Sequence, residues 1–261
     1  MNLLDEILEK FPPISLKEMD GVKLMRRTET KFVFASARLP ELLSSMSDTY
    51  RVLEIDGVKR SPYNTVYFDT KDLKFYHQHH NGKMNRKKIR IRTYVNAELS
   101  FIEVKTKNNK GKTIKKRAKI EKSTGELSDT AKAFISKHVD IDTNELSLAL
   151  WNGYRRITLV DLVSKERVTI DLDLEFDDNG KKAEIGEIII AEVKQEKYNV
   201  RSLFIQNMRK MHIRPMGMSK YCIGSVLLKD WIKSNSFKDG LRYNRFKEKV
   251  LTIDDIKDGS N

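Results

Sequence analysis

The chain has 261 residues, 39% apolar and 33% charged, with 50 lysines and arginines against 37 aspartates and glutamates, a formal net charge of +13. This apolar share sustains a folded core in one large or two small domains, and the basic excess points to anionic partners, whether nucleic acid, membrane surface or phosphorylated metabolites. A single cysteine, Cys222, excludes an internal disulfide, and no run approaches the roughly 20 apolar residues that span a bilayer.

Residues 2–10 read as a short amphipathic helix stopped by Pro12-Pro13. Acids come early and no apolar run of signal-peptide length follows, so a soluble, cytoplasmic protein is expected. Eight segments then show strand character, at 28–35, 63–68, 87–95, 99–107, 113–121, 154–162, 166–174 and 186–194. Helical patterns fill 38–48, 70–80, 126–138, 144–151, 198–210 and 219–234. Asp177-Asp-Asn-Gly180 is a turn signal between strands, and Lys107-Asn-Asn-Lys-Gly111 is a second hairpin candidate. Strands joined this tightly are antiparallel. The division expected is a helical segment over 1–25, a strand-rich domain over 26–235 and a polar, frayed tail over 236–261.

Alternate residues of a strand point to opposite faces. In 88–92 that puts Lys88, Arg90 and Arg92 on one face and Ile89 and Ile91 on the other. The same alternation aligns Glu103, Lys105 and Lys107, and likewise Lys115, Arg117 and Lys119. Arg167, Thr169, Asp171 and Asp173 share a face, as do Arg27, Glu29 and Lys31, and Glu192 and Lys194. In an ordinary half-exposed sheet such faces look to water. Here the helical segments need an apolar surface to pack on, and the isoleucine and valine faces supply it. Eight strands also suit a closed barrel with a narrow lumen. The expected fold is therefore α+β: an eight-stranded antiparallel β-barrel decorated by outer helices, with its charged faces turned inward. Counting Arg156, the inner face holds thirteen bases against five acids. Like charges 4 Å apart repel by about 4 kcal/mol at an effective dielectric near 20. A chain of phosphates matches such a lumen, and its few acids could hold a divalent metal such as Mg²⁺ or Mn²⁺.

Several pieces, in order, resemble the VTC domain, the polyphosphate polymerase domain within the wider group of triphosphate tunnel metalloenzymes. They are Arg27-Thr-Glu-Thr-Lys31, Tyr67-Phe-Asp-Thr70, Arg90-Ile-Arg92, Glu103-Val-Lys105, Tyr154-Arg-Arg156, Arg167-Val-Thr-Ile-Asp171, Glu192-Val-Lys194 and Ser219-Lys-Tyr221. The resemblance implies a tunnel that transfers the γ-phosphoryl group of ATP to a growing polyphosphate chain with Mn²⁺ or Mg²⁺. It implies that Lys31, Arg90, Arg92, Lys105, Arg156 and Lys220 grip phosphates and that Glu192 is the chief metal ligand. Lys88, Lys107, Lys115, Arg117, Arg167 and Lys194 complete the expected phosphate path, and Glu29, Glu103 and Asp171 the set of candidate metal ligands. Tunnel hydrolases of triphosphates begin with Glu-x-Glu-x-Lys; Arg27 in place of the first acid favours the polymerase branch. Gly217 stands where the eukaryotic polymerases carry a further lysine. Those proteins also have a phosphate-sensing domain and membrane helices, which are not seen in this sequence.

Other chemistries find little support. No Walker loop or dinucleotide fingerprint occurs. His77-Gln-His-His80 suits no standard metal spacing and reads as a surface cluster, while Cys222 sits in an apolar helical run and reads as core. Asn81–Lys88 fits a solvated loop or a tunnel mouth equally well. Nucleic acid is disfavoured as the main ligand, because the bases alternate along strands and aromatics do not interleave with them as stacking platforms. A tunnel-fold triphosphatase or nucleotide-processing enzyme, and a binding module without catalysis, stay open as alternatives.

Overall fold

The computed structural model describes residues 2–19, 28–109, 113–121 and 125–237; Arg27, the Lys110-Gly111 end of the second hairpin candidate and the tail beyond 237 lie outside the described residues. The chain divides into two compact units. The first takes residues 1–62, 154–174 and 186–218, and the second takes 63–153, 175–185 and 219–261.

The first unit holds β1 (Pro13–Ile14), β2 (Thr28–Ala35), β3 (Arg51–Leu53) and β11 (Ile188–Gln195), together with parts of β8 (Leu146–Asp161) and β9 (Glu166–Asp178), two strands long enough to serve both units. The order is β2-β11-β9-β8, with β3 against β8 and a short parallel pairing of β1 with β3. β11 runs antiparallel to both β2 and β9. Alternation sends Phe32 and Phe34, Ile157 and Leu159, Val168 and Ile170, and Ala191 and Val193 to one face. Helices α1 (Leu3–Glu9), α3 (Leu39–Ser44) and α6 (Leu203–Lys210) cover that face with Leu8, Leu42, Leu43, Phe204 and Met208, all fully buried. A fourth, one-turn helix, α2, spans Leu16–Met19. Behind the core, Glu166 is a buried carboxylate that accepts from Tyr50, Gln195 and Ser202, joining the ends of β9 and β11 to the start of α6.

The second unit holds β4 (Ser61–Thr70), β5 (Arg86–Tyr94), β6 (Leu99–Lys107), β7 (Thr113–Ile120) and β10 (Lys181–Ile185). β8, β4, β5, β6 and β7 follow one another, and β10 pairs with β9. The β4–β5, β5–β6 and β6–β7 pairs are antiparallel. Ile89, Ile91, Ile102 and Val104 are at most 2% exposed and pack against Phe75 of α4 (Lys74–His80) and Ala131 and Ile135 of α5 (Asp129–Ser136). A third helix, α7 (Lys220–Leu228), is capped by Ser219, whose Oγ accepts from the Cys222 N–H. In each unit antiparallel strands carry helices against their apolar face, so the α+β class stands.

β1, β3 and the one-turn α2 were not anticipated, and three further features differ from expectation. Residues 146–151, expected as a helix, form the first part of β8 after a short 3₁₀ turn at Thr143–Glu145. Leu146-Ser-Leu-Ala-Leu is apolar enough to read either way, and pairing with the sheet decides it. The turn Asp177–Gly180 is present, with Asn179 at φ +53° and Gly180 at φ +92°, but it leads into β10, which was not anticipated. Asp173 was placed beside Asp171; its backbone is left-handed, at φ +52°, and its exposed carboxylate meets Arg155 rather than Arg156.

Candidate functional site

Register in the second unit arranges the expected phosphate residues as a grid. Lys88 on β5 lies opposite Lys105 on β6, which lies opposite Lys115 on β7. The next row is Arg90, Glu103 and Arg117, and the next Arg92, Phe101 and Lys119. Glu103 is the one carboxylate in these three rows. Directly opposed side chains have Cβ atoms about 4.5–5.5 Å apart, and like charges there are destabilising. Three lysines in one row are thus a costly arrangement for an empty sheet face.

Burial sharpens the point. Arg90 is 6% exposed, Arg92 9% and Glu103 0%. Arg90 donates from Nε and Nη2 to Glu103 Oε2, at 2.8 and 2.6 Å, while Lys115 bonds the other oxygen. Burial alone pushes the Glu103 carboxyl up, but Arg90, Arg92 and Lys115 together outweigh it and hold it well below the usual carboxylate range. Lys115 is pulled down to about 8, chiefly by burial, with Glu103 opposing and Arg90 and Arg92 adding to the shift. The Arg92 Nε is buried without a hydrogen-bond partner.

Aromatic rings lie under three of the arginines. Arg92 sits 5.9 Å from the Tyr63 ring centre and Arg117 4.9 Å from that of Phe101, and in the first unit Arg156 lies 5.3 Å from Tyr154. Such contacts fix a guanidinium plane without neutralising it. Lys88 Nζ donates to Ser219 Oγ at 2.9 Å, which sets Lys88 beside Lys220 at the start of α7. Lys107, opposite Arg86, is half-buried, whereas Arg117 and Lys119 are exposed. The Tyr67–Thr70 piece proves structural: Asp69 accepts from the Thr70, Phe75 and Tyr76 amides and from the Tyr221 hydroxyl, and Tyr67 stacks on Tyr221 at 5.1 Å. It ties α4 and α7 to β4.

The first unit has a different electrostatic character. Glu29 lies opposite Lys194, which lies opposite Arg167; Lys31 lies opposite Glu192, which lies opposite Thr169. Glu192 receives Lys31 at 3.4 Å and Lys194 at 2.7 Å. Arg156 grips Asp171 through two bonds of 2.6 and 2.8 Å. Burial pushes the Lys194 amine down, with Glu192 opposing. This patch is nearly balanced in charge, so the basic surplus of the expected inner face belongs mainly to the second unit. Among the described residues no three or more His, Cys, Asp or Glu side chains gather as a ready metal site. The four candidate metal ligands do not cluster: Glu103 is locked between Arg90 and Lys115 in the second unit, while Glu29, Asp171 and Glu192 share one face of the first. Their oxygens are the donor type that Mg²⁺ and Mn²⁺ take, and one or two carboxylates suffice when phosphate oxygens complete the shell. The face therefore fits a metal that arrives with a phosphate ligand.

The VTC domain family matches residues 26–229. No curated protein matches the chain by sequence. Among solved structures, a candidate adenylate cyclase from Bacillus halodurans is 13% identical, covering 74% of this chain and 94% of its own, with a TM-score of 0.50. That likeness shows a common fold. A candidate adenylyl cyclase from Hippeastrum, described as having a dominant triphosphatase activity, is 17% identical over 77% of this chain and 96% of its own, with a TM-score of 0.49. A protein from Pyrococcus horikoshii is 11% identical over 75% of this chain and 94% of its own, at 0.43.

Proposed function

This chain belongs to the VTC domain family, and on that premise we propose that it is a polyphosphate polymerase, moving the γ-phosphoryl group of ATP onto a polyphosphate chain. The observation that carries the reading is the in-register row Lys88, Lys105 and Lys115 beside the buried Arg90 and Arg92, with Glu103 the one carboxylate in these rows. A sheet face meant only for water would expose these groups or alternate their signs. A face meant for a phosphate chain gathers them and withdraws them from bulk water, where each contact with an anion is stronger.

In the reaction a terminal oxygen of the acceptor chain bonds to the γ-phosphorus as the bond to the β–γ bridging oxygen breaks, and ADP leaves with that oxygen. Such transfer needs in-line positioning and cancellation of charge more than covalent help from the protein. Lys88, Lys105, Lys115, Arg90 and Arg92 neutralise the equatorial oxygens; Lys220 and Lys107 extend the grip along the chain. Arg117 stacks at the exposed end of its row. In the first unit Lys31, Arg156, Arg167 and Lys194 supply further cations. Glu192, with Glu29 and Asp171 on its face, would hold Mg²⁺ or Mn²⁺, which when bound supplies positive charge to the phosphoryl oxygens. A cytoplasmic location suits an enzyme fed by ATP; among the described residues no helix is long and apolar enough to cross a membrane. Incubation with ATP and Mn²⁺, with the products separated on a polyphosphate gel, tests the reading.

A further inference from the structure

Helix α6 ends in a compact reversal. The Ile213 N–H bonds the Met208 carbonyl at 2.8 Å, the His212 N–H bonds that of Arg209 at 2.9 Å, and His212 is left-handed at φ +58°. Beside this turn lies an open surface groove of about 320 Å³ lined by the exposed Arg209, His212, Arg214 and Pro215 and the half-buried Ile213. That volume is at the low end of the roughly 300–1,000 Å³ of small-ligand pockets. No carboxylate lines it. Arg209, His212 and Arg214 are exposed, and among the described residues their side chains make no hydrogen bond or ion pair, so they are open to an anion from solvent. Ile213, at its floor, is half-buried and packs onto the core of the first unit.

We propose that this groove is an accessory site for a small inorganic phosphate, pyrophosphate in size. Two guanidinium groups present planar forks that match phosphate oxygens, and His212 adds a ring N–H. At a helix C-terminus the dipole disfavours an anion, an effect smaller than that of charge-assisted bonds to two arginines. The groove also has a mechanical link to the strand that carries Lys31. Pro215 bridges Phe32, the Met216 N–H donates to the Lys31 carbonyl at 2.9 Å, and Lys31 Nζ donates to the Met218 carbonyl at 3.4 Å. An anion held by Arg214 is thus two residues from the segment that frames Lys31. The site does not depend on the polymerase reading, although a product or acceptor phosphate is its natural occupant if that reading holds.

The test is methyl NMR on full-length protein labelled at isoleucine δ1, with the Ile213 signal assigned by its loss in Ile213→Val. Pyrophosphate titrated at constant ionic strength is expected to move the Ile213 methyl along a saturating curve. The Arg209→Gln, Arg214→Gln double variant should weaken that curve at least tenfold while the methyls of Ile157 and Ile170 keep their positions, which reports an intact core. Sulfate at equal ionic strength should not reproduce the shift. An Ile213 methyl that stays still, that moves equally in the double variant, or that responds equally to sulfate overturns the assignment. ATP turnover is measured separately on the same samples, so failure of the groove site and failure of the polymerase reading are told apart.

Discussion

Glu192 and Glu103 are both carboxylates among cations, yet their settings assign them different work. Glu192 is partly exposed, on a face shared with Glu29 and Asp171, and is held by two lysines. Glu192→Gln keeps its shape and removes one charge. Turnover is expected to fall about 10²-fold or more, the scale of losing one strong electrostatic contact to a transition state. Polyphosphate binding without metal should hold or tighten, since a repulsive group has gone; a drop in melting temperature with unchanged metal dependence of turnover would make Glu192 structural instead. Glu103 is fully buried against Arg90 and Lys115. Glu103→Gln strands those cations, and thermal or urea unfolding should show a loss of about 3–5 kcal/mol. Added polyphosphate should restore more stability to this variant than to the wild type, and equal shifts would argue that no anion reaches the row. Lys115 supplies a pH test. With its pKa lowered to about 8, it is charged below that pH and neutral above it in the free protein, while a bound anion favours the charged form. Polyphosphate affinity should therefore be flat below pH 8 on this account and fall by up to about tenfold per pH unit above it. Calorimetry of wild type and Lys115→Arg at pH 7 and 9.5 reads this directly, the arginine variant losing the fall.

At the scale of elements, α7 packs so closely that glycine is required. A Cβ on Gly224 would lie 2.3 Å from Phe176 Cδ1 and 2.7 Å from Leu150 Cδ2, both buried side chains of the second unit. Gly224→Ala should cost about 1–3 kcal/mol in equilibrium unfolding, the usual penalty of overpacking. A neutral result would mean that α7 can shift, and with it Ser219 and Lys220. The contact could not be read in advance, because nothing in 219–228 says which strands the helix meets. The alternation at 88–92 and 102–107 was legible, since charged and β-branched residues strictly take turns there. So was the outward packing of helices on the isoleucine face. Leu146–Leu150 was not, because an apolar run of that length suits a helix or a buried strand and only its partners decide. β10 was missed because Lys-Lys-Ala-Glu-Ile has Ile185 as its one strong strand former, and its pairing with β9 decides it. The cross-strand rows depend on register, so the Lys88, Lys105 and Lys115 alignment, and the uneven split of charge between a balanced first unit and a basic second one, emerged only from the structure.

For the whole molecule, the charge of +13 has a specific destination in this account. Much of the surplus lies on the β5–β7 face of the second unit, where rows of lysine and arginine meet one carboxylate, and a row of cations along strands matches a linear chain of phosphates. Binding of a polyanion weakens with salt, so comparison belongs at one ionic strength. The central claim is that the chain makes polyphosphate, and the direct measurement is incubation of pure protein with ATP, Mn²⁺ and a short polyphosphate primer, followed by gel separation of phosphate chains and quantification of ADP. The account predicts long chains and ADP appearing together, one ADP for each phosphate added. Free orthophosphate as the sole phosphate product would contradict it in favour of a triphosphatase, and no turnover under several divalent metals would reduce the protein to a binder of polyphosphate.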